Sequence, residues 1–171
     1  MHFTSLMPTD FLALLRRDHT DLHEELTQLL EPCATMMEVR TALDGVRLGL
    51  TAHAEAEDIV LGAFELLPVL RLLIAQARAA HVTQERALSA LVCAQPQTPV
   101  WRVRAARLRE LVADHAAQEE RYLIPALRDH IPPDRFGRLA GSFATERLCQ
   151  FAMLQPSAPI YAPLLADTHA Y

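Results

Sequence analysis

Apolar side chains recur at steps of three and four residues along most of the chain, which is the period of one face of an α-helix. The pattern predicts helices over about 9–30, 36–67 and 69–93, and a fourth that begins at Thr98-Pro99 and is weakened near its end by Pro125. Tyr122 lies on the stripe of the fourth helix and is expected in the core. Short loops between such helices predict an all-α fold, an up-down-up-down four-helix bundle.

The sequence beyond the bundle predicts a shorter fifth helix over about 134–153, followed by an irregular tail. The tail is broken up by three prolines, Pro156, Pro159 and Pro163. Its apolar side chains argue against full solvation, so we expect it to lie on the bundle surface or to cover the surface of a partner. The predicted domains are the bundle with its C-terminal helix, 1–150, and a proline-containing tail, 151–171.

Composition fits one globular domain, since 51% of the 171 residues are hydrophobic and 22% are charged. The formal net charge is −5, and all 16 basic side chains are arginines. Such mild acidity provides no overall attraction for nucleic acid or an anionic membrane, so neither is expected as a partner. The chain shows no signal peptide and no membrane-spanning run, and its three distant cysteines form no disulfide framework. These features predict a cytoplasmic protein and leave its oligomeric state open.

Histidines on the apolar faces of the predicted helices are the candidate functional residues. Four of the eight histidines lie on the stripes of four different helices: His19, His53, His81 and His115. Glu57 and Glu119 each follow one of them after a helical turn, and side chains at i and i+4 share a face. A single histidine there is usually a packed core residue, but two buried carboxylates need compensation and no arginine lies on these stripes. Imidazole with carboxylate suits iron, manganese or zinc, so the pattern predicts a metal site.

The pattern of candidate ligands repeats along the chain. His19 and His53 are 34 residues apart, and so are His81 and His115. An offset of 62 residues maps the first pair onto the second, and the same offset relates the two carboxylates. One half of the bundle therefore copies the other in its ligands, which predicts two metal ions related by a pseudo-twofold axis.

These six residues resemble the signature of the hemerythrin-like family, the HHE cation-binding domains, which is H … H-x-x-x-E … H … H-x-x-x-E across four helices. The stretch from His115 to Pro125, HAAQEERYLIP, is similar to the fourth-helix motif of that family. The resemblance covers roughly residues 9–150. Two H-x-x-x-E motifs with two further histidines at matched spacing make it specific.

The resemblance implies a non-haem di-iron centre inside the bundle. It implies one iron held by His19 and His53 and a second held by His81 and His115, with the two glutamates as bridges. An oxo or hydroxo bridge would complete the pair and leave room for a small ligand such as dioxygen, nitric oxide or peroxide. Manganese or zinc is an alternative to iron.

Two positions depart from the oxygen-carrying hemerythrins. Those proteins place a second histidine one turn after the first on the third helix, where this chain has Glu85, and they end with H-x-x-x-x-D instead of His115-x-x-x-Glu119. The offset relates Glu85 to His23, and either residue could be a further ligand, a partner of a ligand or a solvated side chain. An additional carboxylate ligand would favour ferric iron and disfavour reversible oxygen carriage.

Three functions follow from such a centre. The favoured one is binding or sensing of dioxygen, nitric oxide or peroxide. The second is an enzyme that disproportionates peroxide or detoxifies reactive oxygen or nitrogen species, and the third is iron storage or delivery. The sequence leaves open whether the protein is an enzyme.

Overall fold

The computed structural model describes residues 10–154, and every regular element in this range is helical. The four amphipathic stretches form α1 (Phe11–Leu29), α2 (Met36–Gly62), α3 (Pro68–Val92) and α4 (Pro99–Gln118). A π-helical turn, Glu119–Leu123, connects α4 directly to the short α5 (Ile124–His130), and α6 (Pro133–Leu154) follows.

Side-chain caps and prolines set the helix boundaries. Thr35 begins α2 with a capping box, in which its hydroxyl accepts from the Glu38 amide while the Glu38 carboxylate accepts from the Thr35 amide. Thr98 caps α4 as predicted, since its hydroxyl accepts from the Trp101 amide. α2 ends five residues before the predicted position, because Pro68 favours extended backbone at Leu67 and the chain turns before it.

The bundle is a ring of four helices with a polar layer across its middle. α1 and α3 each pack against α2 and α4. One cluster of buried apolar side chains includes Phe11 and Leu15, and a second includes Leu22, Leu26 and Trp101. Since His19 lies on α1 between these clusters, the two apolar cores lie on either side of the histidine layer. The all-α four-helix bundle is therefore confirmed.

The predicted fifth helix is an integral part of the fold. α6 has 22 residues, more than the 19 of α1, and it packs along α2 and α1. Its Phe143 is fully buried and meets the edge of the Phe11 ring at 5.9 Å between centroids. The helix runs four residues past the boundary at 150, and the remainder of the predicted tail, 155–171, lies outside the described residues.

The π-helical turn changes which side chains of the fourth helix are buried. A π-turn inserts one residue into the helical register, and this one ends two residues before Pro125, which lacks an amide donor. Leu123 is buried as a result, whereas the Tyr122 side chain is 50% exposed and lies beside the Arg121 guanidinium. The prediction that Tyr122 packs in the core is wrong, because it assumed an uninterrupted α-helical period.

None of the described helices has the length and apolar character needed to cross a membrane. The cysteines, Cys33, Cys93 and Cys149, are all exposed and unpaired.

Candidate metal centre

Six predicted ligands converge in the middle of the bundle. They come from all four long helical segments and are 1% to 7% exposed: His19, His53, Glu57, His81, His115 and Glu119. Their ligand atoms form two overlapping groups, each with all atoms within 4.8 Å of one another. His19 and Glu119 belong to one group, Glu57 and His81 to the other, and the remaining two histidines to both.

The histidines form two close pairs across neighbouring helices. The ring centroids of His19 and His53 are 5.0 Å apart, and those of His81 and His115 are 4.6 Å apart. Contacts between the two pairs are longer, with centroid distances of 5.7 to 6.2 Å. This arrangement matches the pairing that the repeated spacing and the family resemblance imply.

Each buried carboxylate lies between one histidine of each pair. Glu119 has Oε2 at 3.2 Å from His19 Nε2 and Oε1 at 3.4 Å from His115 Nε2. Glu57 has Oε2 at 3.3 Å from His53 Nε2 and at 3.6 Å from His81 Nε2. Each carboxylate therefore lies within 3.6 Å of one nitrogen from each histidine pair.

Without a bound cation, the buried carboxylates of Glu57 and Glu119 repel each other when both are charged. Burial and the charge of Glu57 raise the pKa of Glu119 well above its usual value, so the two neighbouring carboxylates resist being ionised together. Burial also lowers the pKa of His19 to about 4 and that of His115 to about 3, which keeps these imidazoles neutral. A neutral imidazole has the free lone pair that a metal ion requires.

Unpaired buried atoms show that the residues fit a metal site. No hydrogen-bond partner within residues 10–154 is present for His53 Nε2, His19 Nε2, or either oxygen of Glu57 and Glu119. Leaving such atoms buried and unpaired costs about 1–3 kcal/mol each, and more for charged groups. Two transition-metal ions with nitrogen and oxygen ligands would satisfy all of these atoms together.

An outer layer of acidic and basic side chains supports the histidines. Asp18 Oδ2 lies 2.8 Å from His53 Nδ1, and its other oxygen contacts Arg147 of α6. Burial alone would lower the pKa of His53, but the hydrogen bond to Asp18 and the nearby negative charge of Glu57 outweigh it and raise that pKa to about 9. Asp18 is itself buried, so it holds the His53 ring in one orientation with Nε2 towards the centre.

Two further histidines, His81 and His19, each lie beside a carboxylate that contacts an arginine. His81 Nδ1 lies 3.4 Å from Asp58, which contacts Arg78 at 3.5 Å. His19 Nδ1 lies 3.6 Å from Glu120, which contacts Arg16 at 2.6 Å. The sequence analysis missed these four residues. The sequence does contain a signal for them, since the 62-residue offset relates the two acids to each other and the two arginines to each other. Asp18 had no such signal, since the offset leads to Ala80.

Glu85 and His23 lie away from the centre. Both side chains are exposed, and neither belongs to the two converging groups. Glu85 lines a cavity of about 290 Å³ beside His81, and His23 lines one of about 400 Å³ beside His19. Ligation by either residue stays a prediction.

Replacing Asp18 by Asn should weaken metal binding by about 10- to 100-fold, because the amide cannot hold His53 in its ligating form as the carboxylate does. The loss is measured by competition with a chromogenic chelator. Asp21→Asn, on the exposed face of the same helix, is the matched control and should bind metal as the wild type does. Equal affinities for all three proteins would show that Asp18 does not support the site.

Comparison with known proteins agrees with this geometry. The family described as hemerythrin HHE cation binding domain matches residues 10–131. The chain is also 28% identical over 138 residues to a DNA nickase of Nostoc sp. (strain PCC 7120), an alignment that covers 76% of this chain and 37% of the Nostoc protein. The chain thus spans little more than a third of the length of that relative. No solved structure matches. With its family match and its buried cluster of histidines and glutamates, the chain belongs to the hemerythrin HHE cation-binding domain family.

Proposed function

We propose that the protein binds two iron ions in this centre and uses them to bind a small ligand: dioxygen, nitric oxide or peroxide. The observation that carries the proposal is the arrangement of two histidine pairs with a carboxylate between them on each side. A donor set of this kind contacts two ions at once and offsets their mutual repulsion.

The proposed ligand set divides evenly between the ions. His19 and His53 hold the first ion, His81 and His115 hold the second, and both glutamates contact both ions. Nitrogen and carboxylate ligands suit iron, and manganese and zinc are the alternatives with the same donors. Bound iron would supply an open coordination position and electron transfer to a small ligand. The chain contributes neutral imidazoles, fixed ring orientations and two apolar cores that keep bulk water away.

Space around the centre favours a small ligand over a large substrate. A cavity of about 260 Å³ reaches His115 and Glu119, and all six ligand side chains are buried. Peroxide disproportionation or detoxification of reactive species would use the same cavity, so an enzyme is the alternative within this proposal. Iron storage or delivery is a further alternative, in which bound iron would be released rather than retained.

DNA cleavage is a second candidate, because the chain is similar to the Nostoc DNA nickase. Pairs of metal ions do hydrolyse phosphodiesters when both ions can contact the backbone. In this chain the ligands are buried and the cavity beside them is small, so a duplex backbone cannot approach the centre in the described conformation. The observations therefore favour a small ligand.

The function is tested by loading the purified protein with iron and recording absorption with and without azide. We expect two irons per chain, a near-ultraviolet band of a ferric pair, and a shift when azide binds, whereas zinc would give no such band. The same preparation is incubated with supercoiled plasmid and catalase, and we expect no nicking. One iron or none per chain, or nicking that Glu57→Ala abolishes, would contradict the proposal.

Replacing Glu57 or Glu119 by Ala should reduce iron content more than His19→Ala does. Each glutamate contacts both histidine pairs, whereas His19 belongs to one pair, so loss of a glutamate should leave about one iron or none. Iron is measured per folded chain by metal analysis. Exposed Glu55→Ala on α2 is the control, and it should keep two irons, as should Glu85→Ala. Two irons and an unchanged spectrum in both glutamate variants would show that neither carboxylate is a bridge.

A further inference from the structure

The two halves of the bundle offer equivalent grooves to the outside, but only one of them is covered by a described helix. The 62-residue offset relates α1 to α3 and α2 to α4, so the groove between α1 and α2 corresponds to the groove between α3 and α4. α6 packs into the α1–α2 groove, where Leu139, Ala140 and Phe143 join the apolar cluster. No helix within residues 10–154 covers the α3–α4 groove in the same way.

The uncovered α3–α4 groove contains the cavity of about 260 Å³ that reaches the centre. Gln76 and Ala77 line it from α3, and Gln118 and Tyr122 line it from the α4 side. Its inner end is formed by His115 and Glu119, two of the proposed ligands. The cavity therefore connects the surface with His115, one member of a histidine pair, and with one proposed bridging carboxylate.

Three differences between the halves keep this groove open. Ala77 stands where α1 has the buried Leu15, and Gln76 stands where α1 has Leu14. The π-helical turn moves Tyr122 outwards, whereas its counterpart Val60 on α2 is buried. A smaller side chain, a polar side chain and a displaced ring together leave space that the other half fills.

The other two cavities each reach a histidine on the side of its outer ion pair. The cavity between α1 and α4 is lined by Arg16 and Glu120, and the one between α2 and α3 by Arg78 and Asp58. These ion pairs lie on the Nδ1 side of His19 and His81, away from the Nε2 atoms that face the carboxylates. Of the three cavities, the one in the α3–α4 groove is lined by a proposed bridging carboxylate.

We propose that this cavity is the entry channel for the small ligand, which binds at the ion held by His81 and His115. The inference rests on the two-iron centre proposed above. On the opposite side α6 covers His53, since its Phe143 ring lies 5.9 Å from the His53 ring and its Arg147 contacts Asp18, and the cavity at His19 lies on the Nδ1 side of that ring. The pseudo-twofold axis thus relates an accessible ion to a covered one.

Narrowing the channel tests the proposal. Ala77→Leu installs the side chain that α1 has at the corresponding position, and Gln76→Phe blocks the exposed mouth in case the buried substitution impairs folding. Ala116→Leu and Ala54→Leu are matched controls, since they narrow the α1–α4 and α2–α3 cavities and are related to each other by the same offset. Each variant is loaded with iron, its iron content is determined, and azide association is followed by stopped-flow absorption.

Both channel variants should retain two irons and bind azide about tenfold more slowly, while the two controls stay within about twofold of the wild type. Wild-type rates of azide binding in both channel variants, or slow binding confined to a control variant, would overturn the proposed entry channel. Neither result would contradict the two-iron centre. A wild type that holds two irons but binds no azide would overturn both the channel and the proposed function.

Discussion

The constraint that dominates this fold is the burial of two carboxylates and four imidazoles in the middle of an apolar bundle. Such groups cost free energy in a bundle core unless each is paired, and two adjacent carboxylates cannot both be charged there without a cation. The helices bring all six side chains together in the middle of the bundle, and a cluster of buried apolar side chains lies on each side of them. A bound metal cation would compensate the carboxylates and occupy the free imidazole nitrogens, so the same residues would determine stability and chemistry.

The repeat within the chain creates two similar histidine pairs, and features outside the repeat make their surroundings different. Asp18, Arg147 and Phe143 surround the His53 side, and Ala80 takes the place of Asp18 in the other half. α6 lies beyond the part of the chain that the family matches, residues 10–131, yet it reaches the residues next to a proposed ligand. A helix outside the family domain therefore shapes the environment of one histidine pair.

Sequence reasoning predicted the bundle and the six side chains that converge in its middle, because both follow from short-range periodicity. Apolar steps of three and four residues define the helix faces, and the i, i+4 pairs place His53 with Glu57 and His115 with Glu119 on one side. The position of Tyr122 could not be predicted this way, since a π-turn shifts the register without a clear local signal. Arg147 was missed for another reason: its contact with Asp18 joins residues 129 positions apart, and no periodicity encodes such packing.

The central claim is that two ions bind between the histidine pairs, and anomalous X-ray diffraction from crystals of the iron-loaded protein at the iron edge tests it most directly. The account predicts two anomalous peaks in the middle of the bundle, one between His19 and His53 and the other between His81 and His115, with the Glu57 and Glu119 carboxylates in contact with both. A single peak, or peaks at surface residues such as His23 and Glu85 with none between the histidine pairs, would contradict it.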